Sequence, residues 1–155
     1  MDQLEKKRIP AQTVVCLEHM GAHNQIGAVY HEINAWAKKN NVKAAGPAFT
    51  VFLDPPNEFD PQSGRFEVCL PVAAAPKVEG KLKVKSFPAC TVAYSRVKGP
   101  YDQIPAHYAE MLAWMDAQGL EAAAAPREVY IKRPDTKGKT DPKEYVTEIQ
   151  FPISE

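Results

Sequence analysis

The chain of 155 residues carries one sequence pattern twice, and this repeat constrains the fold more than any other feature. Residues 10–42 align with residues 88–120 at an offset of 78, and 12 of these 33 positions are identical. The identical pairs are Pro10/Pro88, Ala11/Ala89, Thr13/Thr91, Val14/Val92, Gly21/Gly99, Gln25/Gln103, Ile26/Ile104, Ala28/Ala106, Tyr30/Tyr108, Glu32/Glu110, Ala35/Ala113 and Trp36/Trp114. A long repeat present only twice indicates a duplicated supersecondary unit rather than a solenoid.

Each copy of the repeat predicts the element order β-α-β-β. The predicted strands cover residues 10–19, 47–53 and 65–72 in the first copy and 88–97, 126–133 and 143–151 in the second. The predicted helices cover residues 24–39, ended by Asn40-Asn41, and a second segment that begins at an Asp102 N-cap and stops at Gly119. The sequence therefore predicts an α+β fold of antiparallel sheets with pseudo-twofold symmetry.

The two copies, at about 9–72 and 87–153, are expected to form a single domain joined by a linker at 73–86. The later part of this linker is expected to add an edge strand. Its run Lys81-Leu-Lys-Val-Lys85 places alternating lysines where they would block unwanted strand pairing.

The segment Tyr145–Ile153 is the candidate functional strand. Its β-branched and aromatic residues predict a β-strand in which Tyr145, Thr147, Ile149 and Phe151 share one face. Glu148 then lies on the other face, in the middle of a half-buried strand, where an unpaired charge costs several kcal/mol, as a rough estimate. The strand alone leaves two readings open, a solvent-facing carboxylate and a functional one.

The two tryptophans occupy equivalent places on the two predicted helices. At 100° per residue, Trp36 lies about 80° to one side of the apolar stripe of its helix, and Trp114 does the same. Both rings are therefore expected at the edge of a core. They either pack between the halves or form walls of a ligand site.

Composition excludes several classes of protein. The formal net charge is zero, so nothing indicates a nucleic-acid partner. Three cysteines without a C-x-x-C motif suit a reducing compartment, and there is neither a signal peptide nor a stretch of about 20 apolar residues. The sequence thus predicts a cytoplasmic protein with no membrane association and no cofactor.

Other chemistries have weaker support. Cys16, His19 and His23 have metal-ligand spacing, but they run from a strand through a tight turn and the equivalent residues of the second copy, Tyr94, Val97 and Tyr101, are not ligands. We therefore predict no metal site. No serine has the context of a nucleophile elbow, and no glycine-rich phosphate loop is present.

The turn Gly99-Pro-Tyr101, the following helix with Tyr108 and Trp114, and the ending Thr147-Glu-Ile-Gln-Phe-Pro-Ile153 resemble the GyrI-like small-molecule-binding superfamily. That group includes the effector-binding domains of multidrug-responsive transcription regulators, and the resemblance covers about Ile9 to Ile153. It implies a groove between the halves in which an acidic residue of the last strand, here Glu148, binds cationic planar guests. The aromatic residues expected to line it are Tyr101, Tyr108, Trp36 and Trp114.

Two features qualify this expectation. Glu67 is the counterpart of Glu148 in the first copy and is the second candidate acid. The first copy has Gly21-Ala-His23 where the second has Gly99-Pro-Tyr101, so the site is expected to be asymmetric.

The resemblance leaves three functions open. The first is binding of small, apolar and often cationic molecules. The second is a hydrolase that opens strained cyclopropane rings, with a Glu148 of raised pKa as general acid or base and Tyr101 holding water or substrate. The third is a protein-interaction module such as a gyrase inhibitor, although the sequence gives no indication of a protein partner. Only nine residues precede the first predicted strand, so we expect no direct DNA binding through a helix-turn-helix domain.

Overall fold

A computed structural model describes residues 4–22, 25–53, 64–99, 104–132 and 142–154. Within them the strands are β1 (Glu5–Ile9), β2 (Gln12–Gly21), β3 (Phe49–Phe52), β4 (Gly64–Val72), β5 (Lys83–Phe87), β6 (Cys90–Lys98), β7 (Arg127–Lys132) and β8 (Val146–Pro152). The α-helices are α1 (Ile26–Lys39) and α2 (Ile104–Ala117). Neither of these two helices has the length and apolar composition needed to cross a lipid bilayer.

The chain divides into two compact units. The first unit is Pro10–Ala89, and the second unit combines Met1–Ile9 with Cys90–Glu155. All strand pairs within each unit are antiparallel, so the structure confirms the predicted α+β class with two helices.

The first unit has the strand order β5-β2-β4-β3. Alternation along β4 points Phe66, Val68 and Leu70 toward α1, where they form a buried cluster with Val29 and Ile33. The strand expected in the later part of the linker is confirmed, because β5 pairs with β2 at the end of this order. Residues 83–87 are thus part of a sheet rather than of a connecting segment.

The second unit has the strand order β1-β6-β8-β7. Its core brings residues of β6 and β8 against α2, and the buried members are Ala93, Val97, Ile104, Met111, Met115, Ile149, Phe151 and Ile153. β1 was not predicted, and treating the first nine residues as lying outside the sheet was wrong. The sequence Glu-Lys-Lys-Arg-Ile has no apolar alternation, and this segment is ordered by pairing with the distant strand β6, from Glu5 opposite Tyr94 to Ile9 opposite Cys90.

Both helices end in the same way at equivalent positions. Asn41 has a φ of 56° and Gly119 a φ of 70°, which is the left-handed conformation that ends many helices. The amide of Val42 donates to the carbonyl of Ala37, and that of Leu120 donates to Met115, closing the last turn in each helix. The predicted helix ends at Asn40-Asn41 and Gly119 are therefore confirmed.

Some predicted boundaries differ from the observed ones. The Asp102 cap lies outside the described residues, and α2 is described from Ile104. β8 begins at Val146 rather than at residue 143, because Pro142–Glu144 forms a short 3₁₀ helix. The two units share the order edge strand, first, third and second strand of the β-α-β-β unit. Their origin by duplication and their pseudo-twofold relationship remain predictions.

Candidate functional site

Glu148 lies in the middle of β8 with its carboxylate among cationic side chains. Its residue is 1% exposed, although it is charged. The Lys7 ammonium of β1 lies 2.8 Å from Oε2, and the Arg96 Nε of β6 donates to Oε1 at 3.0 Å. The Gln150 amide also donates to this carboxylate. The buried charge is therefore neutralised by residues of the two strands on its β1 side.

These contacts decide the protonation of Glu148. Burial by itself would raise its pKa, but the hydrogen bonds from Lys7, Gln150 and Arg96 outweigh that effect and lower the pKa. Glu148 therefore lacks the raised pKa that the hydrolase alternative requires of it. Lys7 contributes most to this lowering, and no local sequence pattern connects it with β8.

Glu67 has an analogous environment in the first unit. It is 2% exposed, and the Lys85 ammonium of β5 lies 2.7 Å from its Oε2. The hydrogen bond that Lys85 donates to Glu67 raises the pKa of Lys85. Lys7 and Lys85 are 78 residues apart, the offset of the sequence repeat, so the edge strand of each unit supplies the lysine for the acid of its last long strand.

Glu128 is a third buried acid, and sequence reasoning missed it. It lies on β7, is 7% exposed, and accepts a hydrogen bond of 2.8 Å from the Tyr108 hydroxyl of α2. No cationic side chain is paired with it among the described residues. Its direct neighbour on β8 is Ile149, and the ring of Phe151 meets the Tyr108 ring at 5.7 Å edge to face. The carboxyl group is thus buried with one hydrogen-bond partner, the Tyr108 hydroxyl.

This environment keeps Glu128 near the point of half-ionisation at neutral pH. Burial raises its pKa to about 7, although the hydrogen bond from Tyr108 favours the charged form. The pKa of Tyr108 is raised as well, by burial and then by the charge of Glu128. Tyr108 therefore remains a donor at neutral pH, and Glu128 can gain or lose a proton there.

In the second unit, the predicted site residues lie on two different faces of the sheet. Glu148 lies on the face of β8 opposite the face that packs against α2, whereas Tyr108 and Trp114 of α2 contact the core cluster on the helix side. Glu148 and Tyr108 therefore do not meet in the second unit. Trp36 packs against the core of the first unit as a partly buried residue. Tyr101 lies outside the described residues.

Metal binding gains no support from the described residues, in which no group of three or more candidate ligands occurs. Cys16 is buried, and the His19 ring pairs with the Gln25 side chain at 2.9 Å. His23 lies outside the described residues.

The model of the GyrI-like small-molecule-binding domain matches residues 2–154. The chain belongs to the GyrI-like family. No curated protein sequence is significantly similar to this GyrI-like chain.

Solved structures show the same fold. The C-terminal domain of EcmrR is 25% identical with a TM-score of 0.82, and the alignment covers 100% of this chain and 99% of that domain. EcmrR in a complex with DNA is 26% identical with a TM-score of 0.89, but the alignment covers 99% of this chain and only 57% of the EcmrR chain. SAV2435 bound to tetraphenylphosphonium, at 13% identity, a TM-score of 0.63 and coverage of 98% and 94%, shares the fold.

One signal in the sequence could have revealed Glu128. It is a carboxylate directly before the apolar run Val129-Tyr-Ile131, and the argument applied to Glu148, that a charge inside a strand needs a partner, applies equally there. The covering of the strand face that carries Glu128, and the contact with Tyr108, depend on how α2 crosses the sheet. The sequence does not specify that crossing.

Proposed function

We propose that this GyrI-like domain binds small apolar cations, and that Glu128 and Tyr108 form the polar centre of the binding site. The observation that carries the proposal is the buried Glu128 carboxyl group, which has a hydroxyl partner but no cationic partner among the described residues. A bound cation would supply the missing charge. Family membership supports small-molecule binding in general.

The attractive interactions available to such a complex are substantial. A cation about 4 Å from a carboxylate, at an effective dielectric constant of about 20, gains roughly 4 kcal/mol before desolvation. An adjacent aromatic face adds about 0.5–2 kcal/mol by cation–π attraction. The Tyr108 and Phe151 rings lie on the same side of the sheet as Glu128 and provide apolar contact for the body of the guest.

Glu148 fits this role less well. Its charge is already balanced by Lys7 and Arg96, so a guest cation would compete with two internal cations for one carboxylate. Its assignment as a ligand-binding residue remains a prediction of the sequence. The same holds for Glu67, which pairs with Lys85, and for the groove walls formed by Trp36, Trp114 and Tyr101.

The deciding experiment compares two isosteric changes in one sheet. Tetraphenylphosphonium, a cation with a permanent charge, is titrated at pH 8 against wild type, Glu128→Gln and Glu148→Gln. We expect Glu128→Gln to weaken binding by tenfold to a hundredfold, about 1.4–2.7 kcal/mol, and Glu148→Gln to change it less than threefold. If only Glu148→Gln weakens binding of the cation, the site contains Glu148 instead of Glu128. If neither variant weakens binding, neither acid belongs to the site. Exposed Glu110→Gln on α2 controls for a general loss of negative charge.

A second candidate function is hydrolysis of a strained electrophile. It is favoured by the Glu128 pKa of about 7, because a general base works best when its pKa is near the operating pH. Glu128, rather than Glu148, would accept the proton of the attacking water. Incubation with a cyclopropane-bearing alkylator and mass spectrometry for the water adduct tests this. A product formed equally by wild type and Glu128→Gln would exclude the role of Glu128. A protein-interaction function, as in a gyrase inhibitor, has no specific observation in its favour.

A further inference from the structure

A buried hydroxyl group without a partner lies on the strand next to Glu128. Among the described residues, Thr147 Oγ1 is the one buried side-chain nitrogen or oxygen that makes no hydrogen bond. Thr147 is 1% exposed, so bulk water does not satisfy it. Native proteins keep few such groups, and each one calls for an explanation. A ligand that completes the hydrogen bond is one explanation.

The register of β7 and β8 places Thr147 beside the proposed site. Glu128 is directly opposite Ile149, and Thr147 is directly opposite Tyr130. Glu128 and Thr147 are therefore diagonal neighbours on one face, with Cα atoms about 7–8 Å apart. That face is the one that α2 covers, because Tyr108 of α2 bonds to Glu128 and Ile149 belongs to the core beneath the helix.

The three polar groups differ in what they can accept or donate. The Glu128 carboxylate only accepts hydrogen bonds, the Tyr108 hydroxyl already donates to it, and the Thr147 hydroxyl can accept one as well. A guest that carries at least two N–H donors on a charged nitrogen could bond to the carboxylate and to Thr147 at once. A quaternary ammonium or phosphonium ion carries no such donor and leaves Thr147 unsatisfied.

Building on the proposed function, we propose that Glu128, Tyr108 and Thr147 form a subsite selective for cations with N–H donors, that is, protonated primary amines and amidines. Glu128 supplies the negative charge, and the Thr147 hydroxyl accepts a hydrogen bond from the second N–H of the guest. Thr147 is the specificity-determining residue, whereas Glu128 sets affinity for cations of either kind.

The test uses a matched pair of guests and three residues at one position. The guests are a diphenylpropyl primary ammonium ion and its N-trimethyl counterpart, which has the same apolar body. The proteins are wild type, Thr147→Val, which keeps the shape without the hydroxyl, and Thr147→Ser, which keeps the hydroxyl. We expect Thr147→Val to weaken binding of the primary ammonium ion about tenfold, which is the size of one hydrogen bond to a charged group. Binding of the trimethyl ion should weaken less than twofold. Thr147→Ser should remain within about threefold of wild type for both guests.

Other outcomes separate this proposal from the one on which it rests. If both guests bind and Glu128→Gln weakens both, but Thr147→Val changes their affinities equally or not at all, the selectivity proposal is wrong and the proposed function stands. If neither guest binds to wild type, both are wrong. Thermal unfolding of the free protein gives an independent readout. Removing an unpaired hydroxyl should leave the melting temperature of Thr147→Val unchanged or raise it, and a fall of several degrees would contradict the premise.

Discussion

The ammonium of Lys7 lies 2.8 Å from the carboxylate of Glu148, although 141 residues separate them in the chain. The same ammonium lies 4.2 Å from the centre of the Tyr94 ring, so it is held over the sheet by two contacts. The first strand of the chain is thus fixed to the last long strand through a buried charge. This contact explains why an acid in the interior of β8 remains ionised.

Loss of this ion pair should destabilise the fold. Glu148→Gln leaves Lys7 and Arg96 without their buried acceptor, but both side chains are partly exposed and can rehydrate. We therefore expect a loss of about 1–3 kcal/mol in the free energy of unfolding, measured by urea denaturation. Lys7→Met should cost a similar amount, whereas Lys6→Met on the same strand should cost less than about 0.5 kcal/mol because Lys6 is exposed. Equal costs for the two lysine changes would contradict the structural role of the pair.

The acid dependence of stability should carry the signature of Glu148. Its pKa is lower in the folded protein than in the unfolded chain, so its stabilising contribution is present above about pH 4.5 and is lost as the pH falls through the folded pKa. Glu148→Gln should therefore flatten the decline of the unfolding free energy on the acid side of pH 4.5. If this variant loses stability below pH 4.5 as steeply as wild type, other carboxylates dominate the acid dependence.

Glu128 should have the opposite effect on stability. Its pKa is raised from 4.5 to about 7 in the folded protein, so the folded state binds the proton more tightly than the unfolded state. Stability should fall as the pH rises from about 4.5 to about 7, by up to about 1.4 kcal/mol per pH unit, and should level off above that. Denaturant titrations at successive pH values should show this slope in wild type and its loss in Glu128→Gln. If the unfolding free energy depends on pH with the same slope in both proteins, a group other than Glu128 has the raised pKa.

Cation binding should depend on pH through the same group. Tetraphenylphosphonium does not titrate, so any change in its affinity reports on the protein. Because the charged form of Glu128 attracts the cation, affinity should increase between pH 5.5 and 8, by up to about tenfold per unit below pH 7. Calorimetric titrations should show a flat profile for Glu128→Gln. A profile that stays pH-dependent in that variant would identify another titrating group.

The three cysteines should differ in reactivity. Cys16 and Cys69 are buried directly opposite one another on β2 and β4, and burial, followed by the neighbouring Cys16, raises the pKa of the Cys69 thiol. Cys90 is partly exposed at the start of β6. Alkylation of the native protein should modify one thiol at least about tenfold faster than the other two, and Cys90→Ser should remove this fast phase. All three should react at similar rates in denaturant.

Local sequence patterns determined the elements that depend on neighbours in the chain. Apolar periodicity predicted both helices, Asn41 and Gly119 predicted their ends, and strand alternation correctly placed Ile149 and Phe151 in a core. These features follow from backbone conformation and from the two faces of a helix or strand, which residues a few positions apart decide.

Tertiary structure alone decided the electrostatics of the candidate site. β1 has no apolar pattern, yet its pairing with β6 brings Lys7 to Glu148, where Lys7 helps to lower the pKa of that carboxyl group. Conversely, Glu128 resembles any strand carboxylate until α2 crosses the sheet and places Tyr108 against it. The pKa of a carboxyl group depends on burial and on charges within a few ångströms, and contacts between distant segments set both.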